Sequence, residues 1–461
     1  MPRPPLDSTR LTLLLQTQGA MGSRAIKESL RISPATLTRL VAQVGSPIER
    51  IGAARSTRYA LRRSVRSLGS QWPIYRLRSN GRPQIWGELR ALHGGFRFIP
   101  QVPAPAWMER EYSNGIFPGL PFFLQDVRPQ GYVGRAIGRD VRLRLGVPTD
   151  PRLWTDDDLL SYFLTEGCDV QGDCVVGDRA LEQALRATED LTGASIADAD
   201  RVRAYPERAA SAQRGERVGS SAGGEQPKFL ATVQRSTGHF QSVMVKFSAA
   251  EPSPVSQRWA DLLTCEHLAA ETMRAHRIVC ASTQILHSGG RHFLEIERFD
   301  RIEAVGRRGL LSLGAIEDAF LDSSSPDWAA AAVALEAAEW IAPDEGRTLR
   351  WIWCFGDLIA NSDMHRANAS FWFDDELPYR LTPTYDMLPM LYAPSAHGDL
   401  GERDFAPRPP LAGVADVWSD AAAAAAEFWD RVDAEPRISD SFREIARHNR
   451  EVIYRLVRRL G

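Results

Sequence analysis

Residues 356–373 read G-D-L-I-A-N-S-D-M-H-R-A-N-A-S-F-W-F, and after a short turn L-T-P-T-Y-D runs from Leu381 to Asp386. Asp363 is followed five residues later by Asn368, and an apolar run from Ala369 to Phe373 comes straight after. A second apolar stretch ends in Tyr385-Asp386. An aspartate, an amide five residues on, a hairpin and a second aspartate is the order in which kinase sites handle ATP. The first Asp orients or accepts the proton of the attacking hydroxyl. The Asn and the later Asp hold Mg2+, which takes hard oxygen ligands. Asp and Asn are also ordinary turn residues, so the stretch gains weight only from what accompanies it.

The lysines accompany it. Of 56 basic residues only Lys27, Lys228 and Lys246 are Lys. Where Arg serves as the general cation, a retained Lys marks a place that needs a compact ammonium. Residues 218–233 read V-G-S-S-A-G-G-E-Q-P-K-F-L-A-T-V, a Gly/Ser loop running into the first strand of an antiparallel pair. Backbone N–H groups of such a loop can ring a phosphate, because Gly removes the side-chain obstacle. Lys246 on the second strand reaches phosphate oxygens. The P-loop spacing G-x4-G-K-[ST] and the kinase G-x-G-x-x-G are both absent.

Composition bounds the rest. At 461 residues and 44% hydrophobic the chain can build two to four domains. It has no apolar run long enough to span a membrane, and its first residues lack a signal-peptide pattern. Five scattered cysteines, without zinc spacing, read as reduced thiols of a cytoplasmic protein. The net charge of −2 hides an asymmetry: residues 1–80 hold 14 Lys or Arg against three acids. A basic head on an acidic body suggests a polyanion partner for the head.

That head, over residues 9–61, reads as a winged helix-turn-helix. Ser23 is expected to cap a second helix, 24–30. Ser33 and Pro34 open a third, 34–44, with Leu37, Leu40, Val41 and Val44 on one face. Thr36, Thr38, Arg39 and Gln43 project elsewhere, towards a major groove. Arg55 and Arg58 sit on the wing, for backbone phosphate. A protein-interaction module of the same shape is the alternative.

Beyond an Arg/Ser linker, strands are expected near 74–77, 84–89 and 95–99, and helices near 156–166, 180–187 and 194–210. A helix over 260–276 carries Glu266 and Glu271; either can pair with a lysine, and the solvated reading is preferred. Strands at 283–287 and 292–299 end in E-R-F-D-R, a hinge at Glu297 to Phe299, and helices come after it.

These motifs carry a family. The chain resembles the HipA family of bacterial serine/threonine kinases, the toxin components of HipBA-type toxin–antitoxin systems, and its YjjJ-type members with an extra N-terminal helix-turn-helix. The resemblance rests on S-A-G-G-E-Q-P-K, V-K-F, E-R-F-D-R, the D-x-H-x-x-N of Asp363, His365 and Asn368, and Tyr385-Asp386. It implies Asp363 as catalytic base and Asn368 and Asp386 as Mg2+ ligands. It implies Lys246 on the phosphates, Gly223, Gly224, Gln226 and Lys228 in the phosphate loop, and His365 beside it. Glu297 and Phe299 would offer backbone groups to adenine, with Tyr385 near the cofactor. Ser221 would be the autophosphorylated serine. Pro227 departs from the pattern and removes one N–H donor from the loop.

The expected fold is α+β. A winged helix-turn-helix (1–70) precedes a bilobed kinase-like body, with a strand-rich N-lobe holding phosphate loop and hinge (71–300) and an all-helical C-lobe (301–461). The expected function is an ATP- and Mg2+-dependent protein serine/threonine kinase. It would act as a HipA-like toxin of a type II toxin–antitoxin system, binding DNA through its head and meeting an antitoxin. The alternative is a DNA-binding regulator with a nucleotide-sensing body; a nuclease is disfavoured, since the head has no carboxylate cluster.

Overall fold

A computed structural model describes residues 8–189, 194–214, 226–321, 325, 327–395 and 397–460. In the head, helices α1 (Ser8–Gln18), α2 (Ser23–Leu30) and α3 (Pro34–Val44) close over Leu11, Leu15, Ile26, Leu30, Leu37 and Leu40. Strands β1 (Met21–Gly22), β2 (Ile48–Ile51) and β3 (Arg58–Leu61) form a sheet in the order β1-β3-β2. Ser33 caps α3 by accepting the Thr36 N–H at 3.2 Å. Ser23 does not cap α2: the cap is Gly22, without a side-chain bond, and Ser23 is the first helical residue.

Charge fastens the head to the middle of the chain. Glu49, 6% exposed, lies 3.0 Å from both Arg90 and Arg97. Arg63 forks onto Asp157 with two bonds of 2.7 Å.

The stretch expected as one strand-rich lobe contains two separate five-stranded sheets. The first has strands β4 (Gln71–Leu77), β5 (Pro83–Leu92), β6 (Gly95–Pro100), β7 (Ile116–Phe117) and β8 (Cys174–Val176), in the order β7-β6-β5-β4-β8. Between β7 and β8 come α5 (Phe122–Gln125), α6 (Gly131–Leu145) and α7 (Asp156–Glu166), after α4 (Ala106–Arg110); α8 (Asp178–Glu189) comes after β8. Helix α6 is absent from the sequence-based expectations. Two of its glycines are packing devices: a Cβ on Gly138 would lie 2.0 Å from the Thr149 carbonyl oxygen, and one on Gly134 2.7 Å from the Pro129 backbone.

The second sheet has β9 (Ile196–Ala197), β10 (Lys228–Gln234), β11 (Phe240–Phe247), β12 (Thr283–Ser288) and β13 (Arg291–Glu297), in the order β12-β13-β11-β10-β9. Helix α9 (Arg201–Gln213) packs on it through Tyr205 and Ala209. Helix α10 (Pro254–Ala275) connects β11 to β12, opened by a capping box at Ser253 and Ser256.

After residue 300 the chain is mainly helical, with α11 (Leu313–Phe320), α12 (Trp328–Ala337), α13 (Pro343–Leu358), α14 (Ala415–Ala434) and α15 (Asp440–Leu460). It is not wholly so. Strands β14 (Arg301–Ile302) and β15 (Gly306–Arg307) pair, and β16 (Leu310–Ser312) pairs with β17 (Ser370–Trp372). The second pair ties the backbone after Asn368 to another segment, which helices alone would not do.

One apolar core joins the first sheet to these helices. Trp72, Trp86, Phe98 and Trp107 share it with Leu349, Phe355 and Trp429. Inside this interface lies Arg76, 2% exposed. It bonds Asp173 at 2.7 Å, Asp375 at 2.9 Å and the Phe373 carbonyl at 2.5 Å, and sits over the Trp86 ring. Breaking a buried pair leaves an uncompensated charge. Arg76→Met is therefore expected to cost about 3–5 kcal/mol in chemical denaturation. Asp375→Asn, at a carboxylate 35% exposed, should cost under about 1 kcal/mol.

Candidate active site

The site forms where the second sheet meets the loop between α13 and β17. In the β10–β11 ladder Lys228 stands directly opposite Lys246. Both are 3% exposed, on neighbouring strands. The Lys246 ammonium donates to both Glu266 oxygens at 2.7 Å and to Asp386 Oδ1 at 2.5 Å. Burial alone would lower its pKa; Asp386 and Glu266 outweigh burial and raise it. A sheet lysine, a helix carboxylate and the Tyr385-Asp386 aspartate thus meet, with Asp386 140 positions after Lys246.

Glu266 corrects the solvated reading: it is 4% exposed and grips Lys246 with both oxygens. The signal was available. Leu262, Leu263, Ala269, Ala270 and Met273 are the buried face of α10, and Glu266 sits on that stripe. A carboxylate on an apolar stripe requires a partner.

The loop around Asp363 is held by its own polar groups. Asn361 accepts the Asp363 N–H at 3.1 Å. The Asp363 carbonyl accepts the His365 N–H at 3.0 Å and the Asn368 side-chain N–H at 2.8 Å. The Asp363 carboxylate stays 43% exposed, 3.8 Å from His365. Gly356 on α13 lets the loop approach: a Cβ there would meet Met364 Sδ at 2.2 Å.

The two aspartates are pushed apart. Burial, with Asp386 nearby, raises the Asp363 carboxyl above its ordinary value, against His365 and the lysines. Burial would also raise Asp386, but Lys246 and then Lys228 pull it below its ordinary value. A carboxyl shifted up suits proton acceptance, and one held down suits cation binding.

Mg2+ fits the donors present. Asp386 supplies an ionised oxygen. The Asn368 amide uses its N–H on the Asp363 carbonyl, which leaves its Oδ1 as acceptor. One carboxylate, one amide oxygen and substrate phosphates are a usual Mg2+ set. Among the described residues no group of three His, Cys, Asp or Glu gathers as a metal cluster.

Glu297, the expected hinge's first residue, ends β13, and Phe299 follows two residues on. The Glu297 N–H donates to the Ser282 carbonyl at 2.9 Å. The Phe299 ring lies 5.7 Å from both Trp372 and Tyr385. Trp372, covered by Arg308 at 3.7 Å, is a member of this wall that the motifs did not reveal. The chain leaving the hinge is clamped by the first sheet's loop. Asp169 bonds Arg301 at 2.9 Å, and the Gly172 N–H donates to Asp300 at 3.0 Å. Against the burial that would raise it, Arg298 and Arg301 hold the Asp300 carboxyl far below its ordinary range.

Ser221, Gly223 and Gly224 lie outside the described residues. Gln226 is described; its side-chain nitrogen is buried without a partner among the described residues. In the head, Thr38, Arg39, Gln43 and Arg58 are exposed and Thr36 is half-buried. The Thr36 hydroxyl meets that of Ser33 at 3.0 Å, and the Thr38 hydroxyl donates to the Pro34 carbonyl at 3.2 Å. Arg58 donates to the Ala20 carbonyl at 3.0 Å. The backbone of Arg55 lies in the turn Ala54–Ser56 between β2 and β3.

The family described as "YjjJ-like toxin, middle domain" matches residues 68–185, and that described as "HipA-like C-terminal domain" matches residues 220–452. "Toxin YjjJ" of Escherichia coli (strain K12) is 37% identical over 459 residues, covering 98% of this chain and 100% of that protein. Among solved structures, HipA of Shewanella oneidensis MR-1, solved with HipB and operator DNA, has a TM-score of 0.43 at 15% identity. The match covers 74% of this chain and 85% of that one. The Helicobacter pylori proinflammatory kinase CtkA has a TM-score of 0.35 at 13% identity, over 50% of this chain and 88% of its own.

The ammonium bridge makes a double-variant test. Lys246→Met strands Glu266 in the core and should cost about 3–5 kcal/mol of stability. Adding Glu266→Gln should return most of that stability in denaturation but not ATP-analogue binding in calorimetry. Recovery of both would mean that Lys246 serves only the fold.

Proposed function

The chain belongs to the HipA-like toxin family, in its YjjJ branch, and on that premise we propose that it is an ATP- and Mg2+-dependent protein serine/threonine kinase. The observation that carries this reading is the contact of Lys246 with Asp386, beside an Asp363 loop braced by Asn361 and Asn368. Asp386 and the Asn368 oxygen would hold Mg2+, which when bound would neutralise charge on the triphosphate. Lys246 and Lys228 bind phosphate oxygens. The hinge at Glu297 and Phe299 receives adenine against Trp372 and Tyr385. Asp363 takes the proton of a serine or threonine hydroxyl as its oxygen bonds the γ-phosphorus. The bond from that phosphorus to the β–γ bridging oxygen breaks, and ADP leaves with the electron pair. The buried lysine pair keeps water off the phosphates, and Gly223 and Gly224 are proposed to offer them backbone N–H groups.

Ser221, seven residues before Lys228, is the proposed autophosphorylation site. A phosphate there would compete for the same lysines and displace the loop. The head is proposed to be a winged helix-turn-helix that binds DNA. Arg39 and Gln43 would face the major groove with Thr36 and Thr38 beside them, and Arg55 and Arg58 the backbone. Three helices followed by a hairpin, and an exposed α3 edge, support this. Activity as the toxin of a type II toxin–antitoxin pair, with an antitoxin partner and a cytoplasmic protein target, is proposed from the family. Among the described residues no helix is long and apolar enough to cross a membrane.

Incubation with radiolabelled ATP and cell extract, followed by mass spectrometry, tests the chemistry. Asp363→Asn is expected to lose phosphoryl transfer by about 10²–10⁴-fold while keeping ATP binding; retained turnover would refute the base assignment. For the head, Arg39→Ala with Arg58→Ala should weaken duplex retardation and flatten its salt dependence. No retardation of any duplex at low salt by the parent protein sinks the DNA reading.

A further inference from the structure

Asp126 belongs to the first sheet's domain, directly after the buried α5 residues Phe122, Phe123 and Leu124. Its carboxylate nevertheless ends in the catalytic part. Asp126 Oδ2 accepts the Ser312 N–H at 2.7 Å, and its Oδ1 accepts the Ser312 hydroxyl. The same hydroxyl oxygen caps α11 by accepting the Ala315 N–H at 3.1 Å. Ser312 is thereby fixed at three points.

What hangs from Ser312 is the segment around Asn368. Ser312 stands opposite Ser370 in the β16–β17 ladder. The next N–H groups, of Leu313 and Gly314, donate to the carbonyls of Ala369 at 2.8 Å and Arg366 at 3.1 Å. The remaining carbonyl before Asn368, that of Ala367, accepts the Tyr385 hydroxyl at 2.9 Å, and that hydroxyl also meets Ser370 at 2.6 Å. The carbonyls of 366, 367 and 369 are thus all held from outside, and Tyr385 is the neighbour of Asp386. Asn368 also donates to the Asp363 and His365 carbonyls, and the Thr382 N–H donates to the Ser370 carbonyl at 2.9 Å. The carbonyls of 366 and 369 are the ones held from the Ser312 side.

We propose that Asp126 is a positioning residue: from the neighbouring domain it holds Ser312, and through Ser312 it sets the spacing of Asn368 and Asp386 for a divalent cation. This rests on the kinase reading for the identity of the ligand, and on the hydrogen bonds alone for the coupling. The loss of a group that orients a metal ligand weakens metal binding by about 10–100-fold. The middle domain then completes the cation site without touching the cation.

The test uses the full chain. Hydrogen exchange is followed without nucleotide or metal, and binding of a non-hydrolysable ATP analogue is titrated against Mg2+ by calorimetry. Asp126→Ala should speed exchange in 366–370 selectively and raise the half-saturating Mg2+ concentration about 10-fold. Analogue binding without Mg2+ should not change. Asp126→Asn, which keeps an acceptor for the Ser312 N–H and turns its amide to the hydroxyl, should restore most of both. If Asp126→Ala fails to fold, Ser312→Ala, which keeps the backbone bond, should show the same direction in both readouts. Faster exchange spread over the whole chain, or an unmoved Mg2+ midpoint, overturns the proposal. Should the parent protein bind no Mg2+-nucleotide, the kinase reading and the cation's part fall together. Exchange at 366–370 then judges the Asp126 coupling separately.

Discussion

A single ammonium, that of Lys246, joins sheet, helix and loop at the candidate site. It is shared by Glu266 from a helix and Asp386 from a loop, with Lys246 and Glu266 buried and the Asp386 side chain 24% exposed. Taking three charges out of water is costly, and only close geometry with full hydrogen bonding offsets it. That geometry needs a sheet to aim the lysine, a capped helix to aim the glutamate, and a loop to bring the aspartate. Asp386 accepts an unfavourable backbone, with φ at 59°. A non-glycine residue there is strained, and such strain persists where the surroundings over-determine the position. Here Lys246 bonds its carboxylate, and Asn361 donates to its carbonyl at 3.4 Å.

The first sheet and its helices are not a separate bead on the chain. They share the main apolar core with the helical part, and their polar contacts reach the backbone at Phe373 and Ser312 and the Asp300 carboxylate. Asp169 and Gly172 take the chain after β13, Arg76 takes the hairpin after β17, and Asp126 takes Ser312. Nearly all these ties use arginine or its carboxylate partners. A planar fork with several donors can satisfy two acceptors at once, which suits a buried junction. Lys246, one of the two lysines of the body, stands where a compact charge faces the oxygens of two carboxylates.

The basic charge of the first 80 residues overstates what the head presents to a partner. Arg63 is taken up by Asp157, Arg66 by Asp158, and Arg76 by Asp173. Arg62 lies 3.9 Å from Glu49. Arg63 and Arg66 fasten the head to the middle domain, whereas Arg76 is used within that domain and Arg62 against the head's own β2. Arg10, Arg24, Arg31, Arg39, Arg50 and Arg58 are left exposed on the head, so position rather than the total decides where a polyanion would sit.

Along the chain alone, the order Asp363, Asn368, Asp386 and the two scarce lysines points to one chemistry, because motif spacing and residue rarity are local facts. Helix positions are legible where apolar residues recur at helical period, as in α3 and α10. Helix α6 is not, since Gly134 and Gly138 look like breakers until Pro129 and Thr149 are seen against them. Nor is the partner of Glu266, 20 residues from Lys246, or the reach of Asp126 to Ser312, 186 residues away. Which charges are buried together is settled only when separate elements pack, for desolvation depends on what surrounds a group. Residue order sets which atoms are available for the chemistry. Packing sets which of them share a dielectric, and so which carboxyl is raised, which is lowered, and which is held by another domain.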